Sequence, residues 1–314
     1  MKINKGVISI LVAASMWGLA GIFVKPMLAA GVDEMSIVFS RALFSFLSLA
    51  VMVLFVNRSL FKIKLRDLPF FVSSGIFSIV MFNLCYYHTM ELSSLSVAAV
   101  LLYTAPFFVV ILSSFLFKEK LTIRKCVACV CAFVGCVLVS GLIGDGTSIS
   151  TECVVFGLLT GFGYALYTIF GNILLKRGYN SLTVTFYTFV FAFLGTLPLV
   201  DFKNLFTVVF SSDTIPKFVA EGSVNMPFGG FYVVIVAFLM ALLNTVLPYI
   251  FYTNGLKKVS AGSAPIIATV EPVVATFVGL FVFSENISYT GILGIVLVLG
   301  SVVILNFGVG SNGN

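Results

Sequence analysis

Residues 104–122 read TAPFFVVILSSFLFKEKLT, and residues 270–288 read VEPVVATFVGLFVFSENIS. The second passage repeats the first at one constant spacing: Pro272 answers Pro106, Phe283 answers Phe117 and Glu285 answers Glu119. Farther out at the same offset, Ala264 answers Ala98 and Tyr252 answers Tyr86. A register held over that length inside strongly apolar sequence marks an internal duplication. If each copy holds five membrane spans, an odd number, the second copy sits upside down relative to the first. Two similar halves of opposite orientation can exchange inward-open and outward-open shapes around a site between them, which is the usual architecture of secondary transporters.

Composition agrees with a membrane setting. The 314 residues are 60% hydrophobic and only 10% charged, with 34 Phe, and mean hydropathy is +1.15. A water-soluble fold of this size could not hide so much apolar surface, so the lipid bilayer is the expected solvent. No polar stretch is long enough to build a separate soluble domain. The net charge of +6 does not point to nucleic acid, because the basic residues fall at the ends of apolar runs instead of in a patch or an aromatic-interleaved stripe. Cys126, Cys129, Cys131 and Cys136 lie together but in one apolar helix, without a second cluster or a nearby His, so they are expected to fill space and hold no metal. Lys2 and Lys5 precede an apolar run ending near a small-residue stretch, as in a signal peptide. The run is too long for that and contains Lys25, so it is expected to remain as the first span.

A span needs about 20 mostly apolar residues. Such runs fall at 7–29, 35–56, 68–90, 96–117 and 123–143, and again at 153–175, 181–200, 230–252, 262–283 and 288–307, with one long polar connection at 201–228. These lengths suit helices and not the short alternating strands of a membrane barrel. Lys2 and Lys5 precede span one. Arg58, Lys62, Lys64 and Arg66 follow span two; Lys118, Lys120, Arg124 and Lys125 follow span four; Lys176 and Arg177 follow span six; Lys257 and Lys258 follow span eight. In a ten-span arrangement all of these lie on one side, with only Lys203 and Lys217 opposite, whereas nine or eleven spans would scramble the pattern. Cytoplasmic loops hold the basic excess, so both termini are expected to be cytoplasmic. Loop four–five with Glu119 then lies inside, and its equivalent with Glu285 lies outside.

Trp17-Gly18 with Lys25 in span one, Arg41 in span two, Pro106 and then FKEKLT at 117–122 closing span four, and Glu271-Pro272 with Phe283-Ser284-Glu285 closing span nine resemble the EamA-type drug/metabolite transporter family. The resemblance covers nearly the whole chain in two copies, residues 1–143 and 152–307. It implies an all-α integral membrane protein, ten transmembrane helices as two inverted five-helix repeats, in the cell membrane. It also implies export or import of small solutes such as amino acids, nucleobase-like metabolites or drugs. In the family the second half often carries Trp-Ala in its first helix; Tyr164-Ala165 stands here, and no aromatic role is expected of it. The first copy has Ala105-Pro106 where the second has Glu271-Pro272, so any function of the acid belongs to one half.

Four ionisable groups lie within or near the apolar slab: Lys25, Arg41, His88 and Glu271. A charge there costs about 2.5 to 3.5 kcal/mol on insertion scales, so such residues face a partner or a wet cavity. Glu271 is the only carboxylate near mid-depth. The proline after it removes a backbone donor and disfavours helical geometry at Glu271 itself, so a kink is expected there, leaving carbonyls free. A carboxylate beside loosened backbone suits a solute ammonium or a coupling proton; the competing reading is an ion pair with Lys25 or Arg41. Lys25 reads as a snorkelling residue or a gating residue, Arg41 as a partner of Asp33 or Glu34, and His88 as a rim residue one turn from Glu91, or else a proton relay. Trp17, Asn83, Tyr86, Tyr103, Tyr164, Tyr167, Asn244 and Tyr252 are candidates to line a cavity, with packing as the competing role. The expected solute pathway therefore draws on Glu271, Pro272, Lys25, Trp17, Tyr103, Asn83, His88, Arg41 and Asn244.

No Gly-rich phosphate loop, Ser-His-Asp grouping or paired intramembrane carboxylates are visible, which disfavours ATP-driven transport and catalysis. No cofactor is expected. The sequence reads as a secondary transporter, with export the expected direction, of a small organic metabolite, with a proton as the candidate coupling ion. The rivals are an intramembrane lipid-modifying enzyme, which would need converging acid–base or metal groups, and a membrane scaffold, which would need no mid-depth acid.

Overall fold

The computed structural model describes residues 4–142, 149–210 and 230–306. Lys2, Lys217, the expected ends of spans five and ten at Ile143 and Phe307, and most of the 201–228 connection lie outside the described residues. Eight helices are long and apolar enough to cross a membrane: Lys5–Ala29, Glu34–Val56, Leu65–Leu92, Leu95–Phe117, Thr151–Lys176, Ser181–Leu199, Phe231–Leu256 and Ala264–Phe283. Ile123–Val139 and Tyr289–Asn306 are shorter and complete the ten as spans five and ten. No strand occurs among the described residues. Large apolar side chains stay on the outside at equivalent places in the two copies, Phe115 at 80% and Phe281 at 78% exposure, as a lipid-facing surface requires.

The packing follows the duplication. Span one lies along spans eight and nine, while span six lies along spans three and four. Span two packs on eight, and span seven on three. These contacts exchange when the halves are swapped, and the pairs two–seven and five–ten map onto themselves. A two-fold relation between the repeats demands this set. The five–ten pair is close enough for backbone contact: a Cβ on Gly135 would stand 2.8 Å from the Gly294 carbonyl oxygen, and one on Gly294 would stand 2.6 Å from that of Gly135. Small residues on both faces are what permit it.

Both repeats also end their fourth helix in the same way. Lys118 and Ser284, at equivalent positions, each take the left-handed conformation with φ 55°, and the next amide reaches back, Glu119 to Ser113 and Glu285 to Gly279. Pro106 and Pro272 explain the breaks one turn upstream. A proline ring clashes with the carbonyl four residues earlier and leaves it without its donor. The first pieces of spans four and nine accordingly stop at Leu102 and Ala268, four residues before each proline. The expected kink at Glu271 is thus displaced: the break falls at Thr269, and Glu271 lies in the first turn of the helix Val270–Phe283. The constraint on carbonyl i−4 outweighs the pre-proline preference.

Spans three and eight carry a second symmetric irregularity, π-helical turns at Ile76–Met81 and Ala241–Val246. Single π-turns widen a helix locally and concentrate at functional sites. Span one breaks at Leu19, between Lys5–Gly18 and Ala20–Ala29. The irregular segments of spans one, three, eight and nine each contribute residues to one cavity wall.

Candidate solute cavity

A cavity of about 100 Å³ lies between the repeats, lined by Trp17, Ala20, Arg41, Ser78, Phe82, Leu102, Tyr164, Tyr167, Thr168, Asn244, Tyr249, Tyr252 and Glu271. Aromatic rings form much of the wall. Trp17 stands edge-on to Tyr249 at 5.2 Å and tilted against Tyr252 at 5.3 Å, and Tyr167 meets Tyr249 at 4.8 Å. Two phenol groups are committed to protein partners: Tyr252 shares a hydrogen bond of 2.8 Å with Thr168, and Tyr167 one of 2.7 Å with Thr253. Tyr164 and Tyr249 hydroxyls make none to the described residues.

Span one is held at its break from two sides. Asn244, in the π-turn of span eight, donates its amide to the carbonyl oxygens of Met16 at 2.6 Å and Trp17 at 3.2 Å. These are carbonyls at the end of a helical piece, where the Leu19 amide already reaches Met16 at 3.2 Å, and the Asn244 amide adds a donor from the other repeat. On the other side Gly18 rests against span nine at Glu271.

The Glu271 carboxylate makes no hydrogen bond or ion pair with any described residue. It borders the main cavity and also a smaller one of about 10 Å³ shared with Tyr103 and Pro106. The ion pair with Lys25 or Arg41 weighed from sequence is absent. Lys25 is instead bound to Glu285 at 2.7 Å and sits 3.8 Å over the Phe283 ring. Arg41 faces the cavity. Its Nη2 donates to Asn83 Oδ1 at 3.4 Å, and no carboxylate lies within ion-pair distance among the described residues. The expected pairing with Asp33 or Glu34 does not form, because Asp33 is spent capping its own helix through the Ser36 amide and hydroxyl.

Of the residues expected to form the pathway, Trp17, Arg41, Asn244 and Glu271 meet at the main cavity. Tyr103 lines only the smaller one, Pro272 is buried behind Glu271, and Asn83 supports Arg41 from outside the wall. His88 lies apart, 3.3 Å from Glu152 and 3.6 Å from Glu91, with Phe156 edge-on to its ring. These contacts join spans three and six. Tyr86 packs on Phe82, a residue of the wall, without lining the cavity itself, whereas Tyr164 lines it although its departure from the family's tryptophan argued against an aromatic role. Ser78 was not singled out from sequence. One signal was present: at the repeat spacing Ser78 is the equivalent of Asn244.

Two latches flank the cavity at equivalent positions of the repeats. Glu119 pairs with Lys125 at 3.0 Å and accepts the Ala261 and Gly262 amides at the start of span nine, at 2.8 and 3.2 Å. Its counterpart Glu285 pairs with Lys25 of span one. At the end that carries the basic loops, buried Asp67 accepts from Arg177 and from Tyr179, joining loop two–three of one repeat to loop six–seven of the other.

The chain matches the EamA-like transporter family twice, over residues 4–141 and 151–307, and belongs to that family. It is 25% identical over 305 residues to an uncharacterized transporter of Archaeoglobus fulgidus, covering 95% of each chain. It is 23% identical over 268 residues to the uncharacterized transporter YetK of Bacillus subtilis, covering 84% of this chain and 76% of that one. A crystal structure of a protein 15% identical superposes with a TM-score of 0.75 over 96% of both chains, a likeness of fold. These relationships point to a multi-pass membrane transporter and away from an enzyme, with a small-molecule solute and the bilayer as its partners.

Proposed function

We propose that the protein is a secondary transporter that moves a small organic solute by alternating access, the two repeats rocking about the cavity between them. The observation that carries this reading is Glu271, an acid beside an interrupted helix with no partner among the described residues, bordering a cavity walled by both repeats. Such a group stabilises a solute ammonium or carries a coupling proton. The latches at Glu119 and Glu285 support the rocking motion, since inverted repeats place equivalent latches at opposite ends, and closing one while opening the other changes the facing. The end with the basic loops is cytoplasmic, both termini lie there, and export is the proposed direction. Solute flux through purified protein in liposomes, compared between wild type and Glu271→Gln, tests the reading.

A further inference from the structure

The short helix Phe202–Val209 lies in the connection between spans seven and eight, started by Asp201, whose carboxylate accepts the Asn204 amide at 3.0 Å. Eight residues reach only about 12 Å, against a bilayer core of about 30 Å, so this helix stays at the end of the molecule opposite the basic loops. Two strips of apolar side chains run along it. Leu205 and Val208 turn inward and pack on the cluster formed by Met27 and Val32 at the end of span one, Ile37 of span two and Val233 of span eight.

The second strip is Phe202, Phe206 and Phe210, four residues apart, and it turns progressively away from the protein, with exposures of 39%, 57% and 77%. Phe202 still meets Phe39 of span two edge-on at 5.5 Å, and beyond it the three rings stand against one another, their centroids 6.5 and 6.0 Å apart. Lys203 and Thr207 occupy the remaining face, both exposed. A helix polar on one side and aromatic on another belongs where water meets lipid. The aromatic strip also continues a surface that the bilayer covers, since Leu199 at the end of span seven and Phe231 at the start of span eight are exposed on either side of it in the chain. Acyl chains would take these rings out of water, which nothing polar could do.

We propose that Phe202–Val209 is an interfacial helix lying along the membrane plane, with Phe202, Phe206 and Phe210 docked among the lipid acyl chains just below the headgroups of the leaflet opposite the basic loops. Through Leu205 and Val208 the same helix ties that anchorage to the ends of spans one, two and eight. The partner is the acyl chain, and no headgroup charge is called for, because Asp201 and Lys203 place one charge of each sign at the helix start. The inference is independent of the solute and of the role of Glu271.

Trp17 is the only tryptophan, so a tryptophan placed on this helix reports its own surroundings, in the Trp17→Phe background or after subtraction of wild-type emission. Full-length Phe206→Trp and Phe210→Trp are reconstituted in phosphatidylcholine vesicles with iodide available on both sides. Both are expected to lose emission when the lipid is brominated near the headgroup end of its chains, to lose less when it is brominated near the chain ends, and to be sheltered from iodide. Thr207→Trp is expected to show the reverse, with quenching by iodide and little by either lipid. Iodide quenching of Phe206→Trp and Phe210→Trp to the level of Thr207→Trp would put the aromatic strip in water and overturn the proposal. Emission that neither iodide nor brominated lipid reduces would put protein over the strip, from this chain or a second copy, and overturn it too. So would stronger quenching by bromine at the chain ends, which would sink the strip deep in the bilayer.

Discussion

Gly18 touches Glu271: a Cβ built on Gly18 would stand 2.7 Å from the Glu271 carbonyl oxygen and equally close to the Val274 side chain. The first span of one repeat and the ninth span of the other therefore meet backbone to backbone at the acid. Gly18→Ala forces that junction apart. Overpacking of this kind costs about 1–3 kcal/mol, so the variant is expected to melt at lower temperature in detergent and to transport poorly. Gly21→Ala is the control, because its Cβ would meet only the Phe283 ring at 3.6 Å, an ordinary contact. Equal melting temperatures for the two variants would contradict the junction.

Orientation is tested by single cysteines in a background without the six native ones. A cysteine at Ser59, among the basic residues after span two, is expected to resist an impermeant maleimide added to intact cells. One at Asn286, beside Glu285, is expected to react. The reverse pattern would turn the molecule over.

The latches are expected to differ in strength. Lys25 and Glu285 are 39% and 57% exposed in their side chains, whereas Lys125 and Glu119 are 15% and 16% exposed, and Glu119 also holds two amides. Exposed pairs contribute about 0–1 kcal/mol; breaking bonds to a protected carboxylate costs about 1–3 kcal/mol. Glu119→Gln should therefore lower the melting temperature more than Glu285→Gln, and equal shifts would count against the difference.

Glu119 also sets an acid dependence. Burial pulls its carboxyl upward, but the Lys125 ammonium and the Gly262 and Ala261 amides outweigh this, so it titrates below its ordinary value of 4.5. A folded-state value lowered below the unfolded one stabilises the fold above 4.5, and that contribution is lost as pH falls through the lowered value. Wild type should lose more melting temperature than Glu119→Gln when acidified from neutrality to below 4.5. Parallel losses would place the acid sensitivity elsewhere.

The ten spans and the repeat were legible because apolar length and a constant residue spacing are properties of the chain itself. Pro272 foretold an interrupted helix, but where the break settles depends on the carbonyl four residues upstream, which moved it from Glu271 to Thr269; the equivalent break before Pro106 was not anticipated. Rotation of a helix about its axis was not legible. Arg41 reads the same whether it faces Asp33 or the cavity, and only the packing of spans from the other repeat decides. Ser78 was missed for the same reason, its repeat equivalence to Asn244 being the one signal present, and Tyr164, a candidate to line the cavity, read equally well as a packing residue. Asn244 was noticed as a polar residue, yet its bond to the broken end of span one comes from the tertiary fold.

Flux of the solute into liposomes by well-folded Glu271→Gln, measured against wild type across pH, tests the central claim most directly. The substitution keeps size and some hydrogen bonding while deleting charge and titration. Transport is expected to be abolished or strongly reduced. Any residual flux is expected to lose its pH dependence if Glu271 carries a proton, or to lose affinity for cationic and zwitterionic solutes if it binds an ammonium. Wild-type flux, affinity and pH profile in the variant would contradict both and reduce Glu271 to a packing residue.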